Sequence, residues 1–169
     1  MTISEYILKM KGSAKSPPGV GAVELAWSWF GSALGIGCCG FLSARYFEPK
    51  ELTLIIGSFG ASAVLVYGAI KSPLAQPRNL VGGHIISALI GVACFQLFGN
   101  TIWIASALAV SLAIVAMLAT KTLHPPGGAT ALIAVIGGAK VHSLGFYYAL
   151  VPAGAGAVIL LVVALLVNN

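Results

Sequence analysis

Short polar connections cut the chain into six apolar stretches, residues 25–44, 52–70, 80–98, 102–119, 125–138 and 144–167, and none has a carboxylate near its centre. A helix that crosses a bilayer needs about 20 mostly apolar residues. The chain has 169 residues, 59% hydrophobic and only 8% charged, against roughly a quarter charged in soluble domains. There are too few polar side chains to wrap a water-soluble core, so lipid must supply the surroundings. The expectation is an all-α integral membrane protein with membrane lipid as its first partner.

The sparse charge supports this. Asp is absent, and Glu5, Glu24, Glu48 and Glu51 all fall in the first third of the chain. Lys9, Lys11 and Lys15 lie in a polar N-terminal arm, residues 1–19, and the other cations are spaced singly along connections. Such charges orient helices at the membrane flanks. With no basic run or aromatic-interleaved patch, nucleic acid is not an expected partner. The arm lacks the apolar core of a cleavable signal and the composition of a transit peptide. Cys38, Cys39 and Cys94 have no CxxC spacing and read as small packing residues.

Helices in lipid associate through small residues that let backbones approach. Gly31 and Gly35, then Gly83, Ser87 and Gly91, then Ala153 and Ala157 recur at four-residue spacing. Trp27, Trp29, Trp103, Tyr147 and Tyr148 are expected as interfacial anchors. Two stretches depart from this plan. Gly57-Ser58-Phe59-Gly60-Ala61-Ser62 and His124-Pro125-Pro126-Gly127-Gly128-Ala129-Thr130 open with small polar residues. Proline suits a first helical turn, so a helix starts at or just after Pro126 and, ending near Gly138, is too short to span. Gly60-Ala61-Ser62-Ala63-Val64-Leu65 aligns with Gly128-Ala129-Thr130-Ala131-Leu132-Ile133, each in the middle of three stretches. Two halves, about 20–98 and 100–169, with opposite topologies are expected, the inverted-repeat plan of many transporters.

Helix N-termini with glycine beside them attract anions through unpaired N–H groups and the aligned peptide dipoles. Ser58, Gly60, Ser62, Gly127, Gly128 and Thr130 are the candidate donors of backbone N–H or hydroxyl. Glycine-mediated packing explains the same residues equally well. Arg78, held between prolines in Pro73-Leu74-Ala75-Gln76-Pro77-Arg78-Asn79, suits a planar oxyanion, and equally a headgroup contact. His84 and His124 are placed to bind a solute or carry a proton. Lys121, beside His124, serves similarly or anchors a helix end, and His142 lies in a loop. No histidine pair has zinc spacing and no catalytic motif is present, so neither a metal, a cofactor nor an enzymatic activity is expected. Without a carboxylate at depth, a cation path is disfavoured; an anion or a neutral solute fits.

Ile56-Gly57-Ser58-Phe59-Gly60-Ala61-Ser62-Ala63-Val64, Pro73 to His84 through Pro77-Arg78-Asn79-Leu80-Val81-Gly82-Gly83, and His124-Pro125-Pro126-Gly127-Gly128-Ala129-Thr130-Ala131 resemble the HPP family of integral membrane proteins, named for its His-Pro-Pro. The resemblance covers about residues 20–167. It implies four spanning helices, which with two half-helices account for six stretches. Plant and cyanobacterial members are linked to nitrite transport. The resemblance therefore implies a nitrite or small-anion transporter or channel in a bacterial, cyanobacterial-type plasma membrane, with a homo-oligomer as a further possibility. A channel for water or a neutral solute, and a non-transporting membrane subunit, are the alternatives.

Overall fold

The computed structural model describes residues 2, 4–5, 19–47 and 56–168, Phe47 by its backbone alone. All regular structure among the described residues is helical. The elements are α1 (Ala22–Leu42), α2 (Ser58–Gly68), α3 (Pro77–Phe98), α4 (Ile102–Ala119), α5 (Pro125–Ile136), α6 (Gly138–Leu144) and α7 (Ala155–Val167). A π-helical turn, Ser43–Phe47, extends α1, and Pro73–Ala75 form a single 3₁₀ turn before α3. Four segments are long and apolar enough to cross a membrane: Ala22–Tyr46, Pro77–Phe98, Ile102–Ala119 and Gly138–Val167. Two shorter apolar helices, Ser58–Gly68 and Pro125–Ile136, complete the count expected from the sequence. Most of the arm, with Lys9, Lys11 and Lys15, and the start of the second stretch, residues 52–55, lie outside the described residues.

Close contacts fix the helix directions. Cys39 lies against Gly156, and the missing Cβ of Gly31 would lie 2.9 Å from Val167, so α1 is antiparallel to α7. Phe59 packs on Gly156, and Asn168 donates to Val66 O at 3.0 Å, so α2 runs parallel to α7. Gly83 faces His124 and Gly91 faces Ala131, so α5 runs parallel to α3. Ser58 meets Thr130 and Ser62 meets His124, so α2 and α5 point in opposite directions. At 1.5 Å per residue, 11 and 12 residues give helices of about 17 and 18 Å. They overlap side by side, with Ser58 bonded to Thr130 and Gly57 next to Ile133, so together they cover most, not all, of the ~30 Å of a hydrocarbon core. Each alone is too short to cross it. Lys71, Arg78 and Lys121 are on one side, with the C-terminus of α7, and Arg45 and Lys140 on the other.

The small residues at four-residue spacing do the expected work. Gly31 and Gly35 receive the Tyr67 ring, whose hydroxyl donates to Leu160 O at 3.0 Å, so α2 is locked between α1 and α7. Cys94 packs with Ala105, Ala109 and Ala113 between α3 and α4.

Three expectations need correction. Tyr148, expected at an interface, is 0% exposed and donates its hydroxyl to Thr130 O at 3.2 Å; Trp27, Trp29, Trp103 and Tyr147 are exposed as expected. The last stretch is no plain helix: Val151 is extended (φ −137°, ψ 120°), because the ring of Pro152 disfavours helical backbone at the residue before it. His142 lies in α6, where it donates Nε2–H to Val135 O at 2.9 Å and stacks on Phe95.

Candidate functional site

The segment Pro77-Arg78-Asn79-Leu80-Val81-Gly82-Gly83-His84 explains how a half-helix is started inside a bilayer. α4 ends with Thr122 N–H donating to Met117 O (2.8 Å) and Lys121 N–H to Leu118 O (3.2 Å), with Lys121 left-handed at φ 57°. This paired C-terminal turn throws the chain back, and residues 122–124 then descend without helical bonds. Carbonyls of such a segment must be satisfied by side chains, since lipid offers no donors. Arg78 Nη2 donates to Thr120 O at 2.7 Å and Asn79 Nδ2 to Leu123 O at 2.8 Å. Gly82 and Gly83 admit the descending strand: a Cβ on either would lie 2.8 Å from Thr122 or 2.6 Å from His124. Arg78 is thus an exposed clamp on the entry to α5, and it lies away from the buried cluster.

At the foot of that descent five of the nine candidate residues meet. Ser58, Ser62, His84, His124 and Thr130 are all 0–1% exposed. His124 Nδ1–H donates to Leu74 O at 2.9 Å, which leaves Nε2 facing Ser62 Oγ at 2.9 Å. Ser62 Oγ also lies 2.7 Å from His84 Nε2, and His84 Nδ1 lies 2.7 Å from Thr130 Oγ1. Thr130 Oγ1–H in turn donates to Ser58 Oγ at 2.8 Å. One continuous hydrogen-bonded chain therefore runs from the turn before α3 to the first residue of α2. Ser62 and Thr130, which align in the two similar segments, hold the two nitrogens of a single imidazole at the same distance.

The backbone-donor reading fares differently. Pro125 and Pro126 have no N–H, and Gly127 N–H is spent on His124 O at 2.8 Å. Phe59 and Gly60 N–H turn back to Ile56 O and Gly57 O at 3.0 and 3.2 Å. Side chains, rather than these peptide groups, carry the polarity here. Gly60 is exposed and Gly128 half-buried, both outside the chain of bonds. Gly127 is buried for fit, since a Cβ there would come within 2.7 Å of Ser87 Oγ.

Sequence reasoning missed Asn79, Tyr148 and Ser87. Asn79 adjoins Arg78, and Ser87 is three residues beyond His84 on one helical face, so both signals were present. Ser87 Oγ is the one buried side-chain polar atom among the described residues without a hydrogen-bond partner. No metal-binding group of His, Cys, Asp and Glu occurs among the described residues.

Two cavities are lined by sequence neighbours of the two ends of this chain of bonds, and none of the five cluster residues lines either. One, of about 550 Å³, is lined by Ile56, Gly57, Ile133, Lys140, Leu144 and Pro152 among others and touches the residue next to Ser58. The other, of about 230 Å³, includes Lys71, Gln76 and Ala75, the residue after Leu74. Each has one ionisable lining residue, a lysine.

A family model described as the transmembrane region of HPP matches residues 17–169. The chain belongs to the HPP family. Two transmembrane proteins of Dictyostelium discoideum are similar to this HPP chain: one is 51% identical over 169 residues, covering 98% of the chain and 54% of the relative. The other is 44% identical over 174 residues, covering 100% and 61%. The chain thus spans little more than half the length of these relatives. No solved structure matches it. Both relatives are eukaryotic and give no support to a bacterial plasma membrane.

Proposed function

We propose that this HPP protein is a transporter for small inorganic anions, with nitrite the first candidate, and that the solute passes through the Ser58, Ser62, His84, His124 and Thr130 cluster between α2 and α5. The observation that carries the reading is the make-up of this cluster. Two imidazoles and three hydroxyls are buried at membrane depth with no carboxylate among the described residues beside them. Ionisable groups inside a membrane mark solute paths, and groups that become only neutral or positive favour an anion. The lysine in each flanking cavity supports the same sign. The cluster is closed, so passage requires α2 and α5 to part, each opening one cavity to the site in turn. The opposed directions of the two helices suit this alternation. A standing water channel is disfavoured because the five side chains are buried against one another.

The test is uptake by vesicles holding the purified protein, measured for nitrite, nitrate and formate alongside urea and water. Saturable uptake of one or more anions above protein-free vesicles, reduced at least tenfold in folded His84→Gln, is the expected result. Uptake of urea or water alone would replace the anion with a neutral solute.

A further inference from the structure

Lys71, Arg78 and Lys121 share one side of the fold, and after Glu51 the chain has no carboxylate side chain to answer them. Two of these cations meet at the turn that leads into α5. Arg78 Nη2 donates to Thr120 O at 2.7 Å, and Lys121 is the next residue. Both Arg78 and Lys121 are exposed. Lys121 is left-handed at φ 57°, a conformation that glycine adopts freely and a side chain makes costly. The turn therefore carries a positive charge at the one position where its backbone would be easier without a side chain.

Two grooves on the lipid-facing surface begin near this side of the fold. The first, of about 520 Å³, lies between α4 and α5 and is lined by Val110, Ile114, Met117, Leu123 and Leu132 among others. The second, of about 400 Å³, lies between α2 and α5 and is lined by Ala61, Val64, Leu65 and Ala69 among others. Pro125 and Ala129 line both, and no side chain lining either groove is polar. Leu123 is two residues from Lys121, and Ala69 two residues from Lys71, so each groove has a cation close to its upper end in the chain. Residues 110–117 of α4 and 125–132 of α5 give the first groove a depth of about 10 Å. Small residues leave this space: a Cβ on Gly60 would meet nothing within 4 Å, and one on Gly128 only Val110, at 3.8 Å. Below the headgroups there is no water to fill such a surface, so acyl chains fill it.

We propose that this face binds one anionic phospholipid, its phosphate held by Lys121 and Arg78 and its two acyl chains lying in the two grooves, astride Pro125 and Ala129. Basic clusters at helix ends recognise anionic headgroups. A choline headgroup would bring a quaternary ammonium toward two cations, whereas a glycerol headgroup brings no opposing charge. Arg78 is already fixed by Thr120 O, so its remaining N–H groups meet phosphate oxygens with little loss of side-chain freedom. The bound chains cover Val64, 73% exposed on α2, and shelter the flank where both half-helices face lipid. None of the five residues of the buried cluster lines either groove, so the lipid site holds whether or not the chain carries an anion.

The experiment takes the purified full chain, stripped of lipid in detergent, and titrates it with dioleoylphosphatidylglycerol or dioleoylphosphatidylcholine while native mass spectrometry counts the lipids bound. One phosphatidylglycerol per chain is expected, held at least about fivefold more tightly than phosphatidylcholine, because each cation beside an anionic headgroup contributes about that factor. Lys121→Gln should lower the affinity for phosphatidylglycerol about fivefold, while Lys140→Gln, on the opposite side of the fold, should leave it unchanged. Ala129→Leu, which intrudes on both grooves from their shared wall, should weaken it as well. Circular dichroism of each variant without lipid establishes that it is folded. Equal affinity for the two lipids, or a folded Lys121→Gln that binds phosphatidylglycerol as the wild type does, overturns the proposal. Displacement of the lipid by inorganic phosphate at the same concentration also overturns it, since the turn would then be a site for free anions and the grooves would contribute nothing.

Discussion

Replacing Ser62 by alanine removes one oxygen atom and two hydrogen bonds, those of 2.7 Å to His84 Nε2 and 2.9 Å to His124 Nε2. In water-soluble proteins, orphaning two buried groups costs about 1–3 kcal/mol each. Inside membrane proteins side-chain hydrogen bonds average only ~0.6 kcal/mol, with a maximum near 1.7, because the unfolded chain in lipid also finds partners. The second scale applies here, and two bonds give about 1–3 kcal/mol. Alanine returns up to ~0.5 kcal/mol through helix propensity, too little to change the sign. Reversible unfolding in mixed detergent, followed by circular dichroism, measures the loss. Adding His124→Ala separates the two bonds: in that background Ser62→Ala forfeits one bond instead of two, a coupling of about 0.5–1.5 kcal/mol. If Ser62→Ala unfolds with the wild type and the two substitutions simply add, the chain of bonds is not a connected network.

Further substitutions separate positioning from solute contact. Arg78→Ala should lower stability by about 1 kcal/mol through loss of the Thr120 clamp and should reduce maximal uptake with little change in KM, while Arg78→Lys restores part of both. A large rise in KM would instead return Arg78 to the solute path. Ser87→Ala removes an unpartnered buried hydroxyl and should leave the unfolding free energy unchanged or raise it by up to ~1 kcal/mol; a clear destabilisation would mean that Ser87 has a partner. Lys121→Gly relieves a left-handed residue (φ 57°) and should stabilise by about 0.5–1 kcal/mol in the same unfolding assay; a loss would show that the lysine side chain contributes more than its backbone costs.

The architecture was legible wherever one local property decided it. Apolar length marked six segments and only 125–138 as too short to span, the count of four spans coming from the HPP resemblance, and Pro125-Pro126 marked a helix start in the interior because proline needs no N–H there. Ser62 and Thr130 could be paired in advance because glycine and alanine around them repeat at matching positions. What escaped depended on partners distant in sequence. Arg78 sits in a turn that suits an anion as well as a carbonyl, and only the fold brings Thr120, 42 residues away, under its guanidinium. Tyr148 has a ring that interfaces favour, yet Thr130 O claims its hydroxyl. The helix-terminus argument for anion binding weakened for a reason visible in the sequence itself, since two prolines in the first turn of α5 delete two of the donors it requires.

The central claim, that a small anion meets the protein at the two buried imidazoles, is tested most directly by nitrogen NMR of the histidine-labelled protein in lipid during titration with nitrite. The account predicts that the His84 and His124 ring signals move together and saturably, while His142, held against Phe95 and Val135 O on the far side of the fold, stays still. Saturable nitrite transport with no change at His84 or His124 would contradict it.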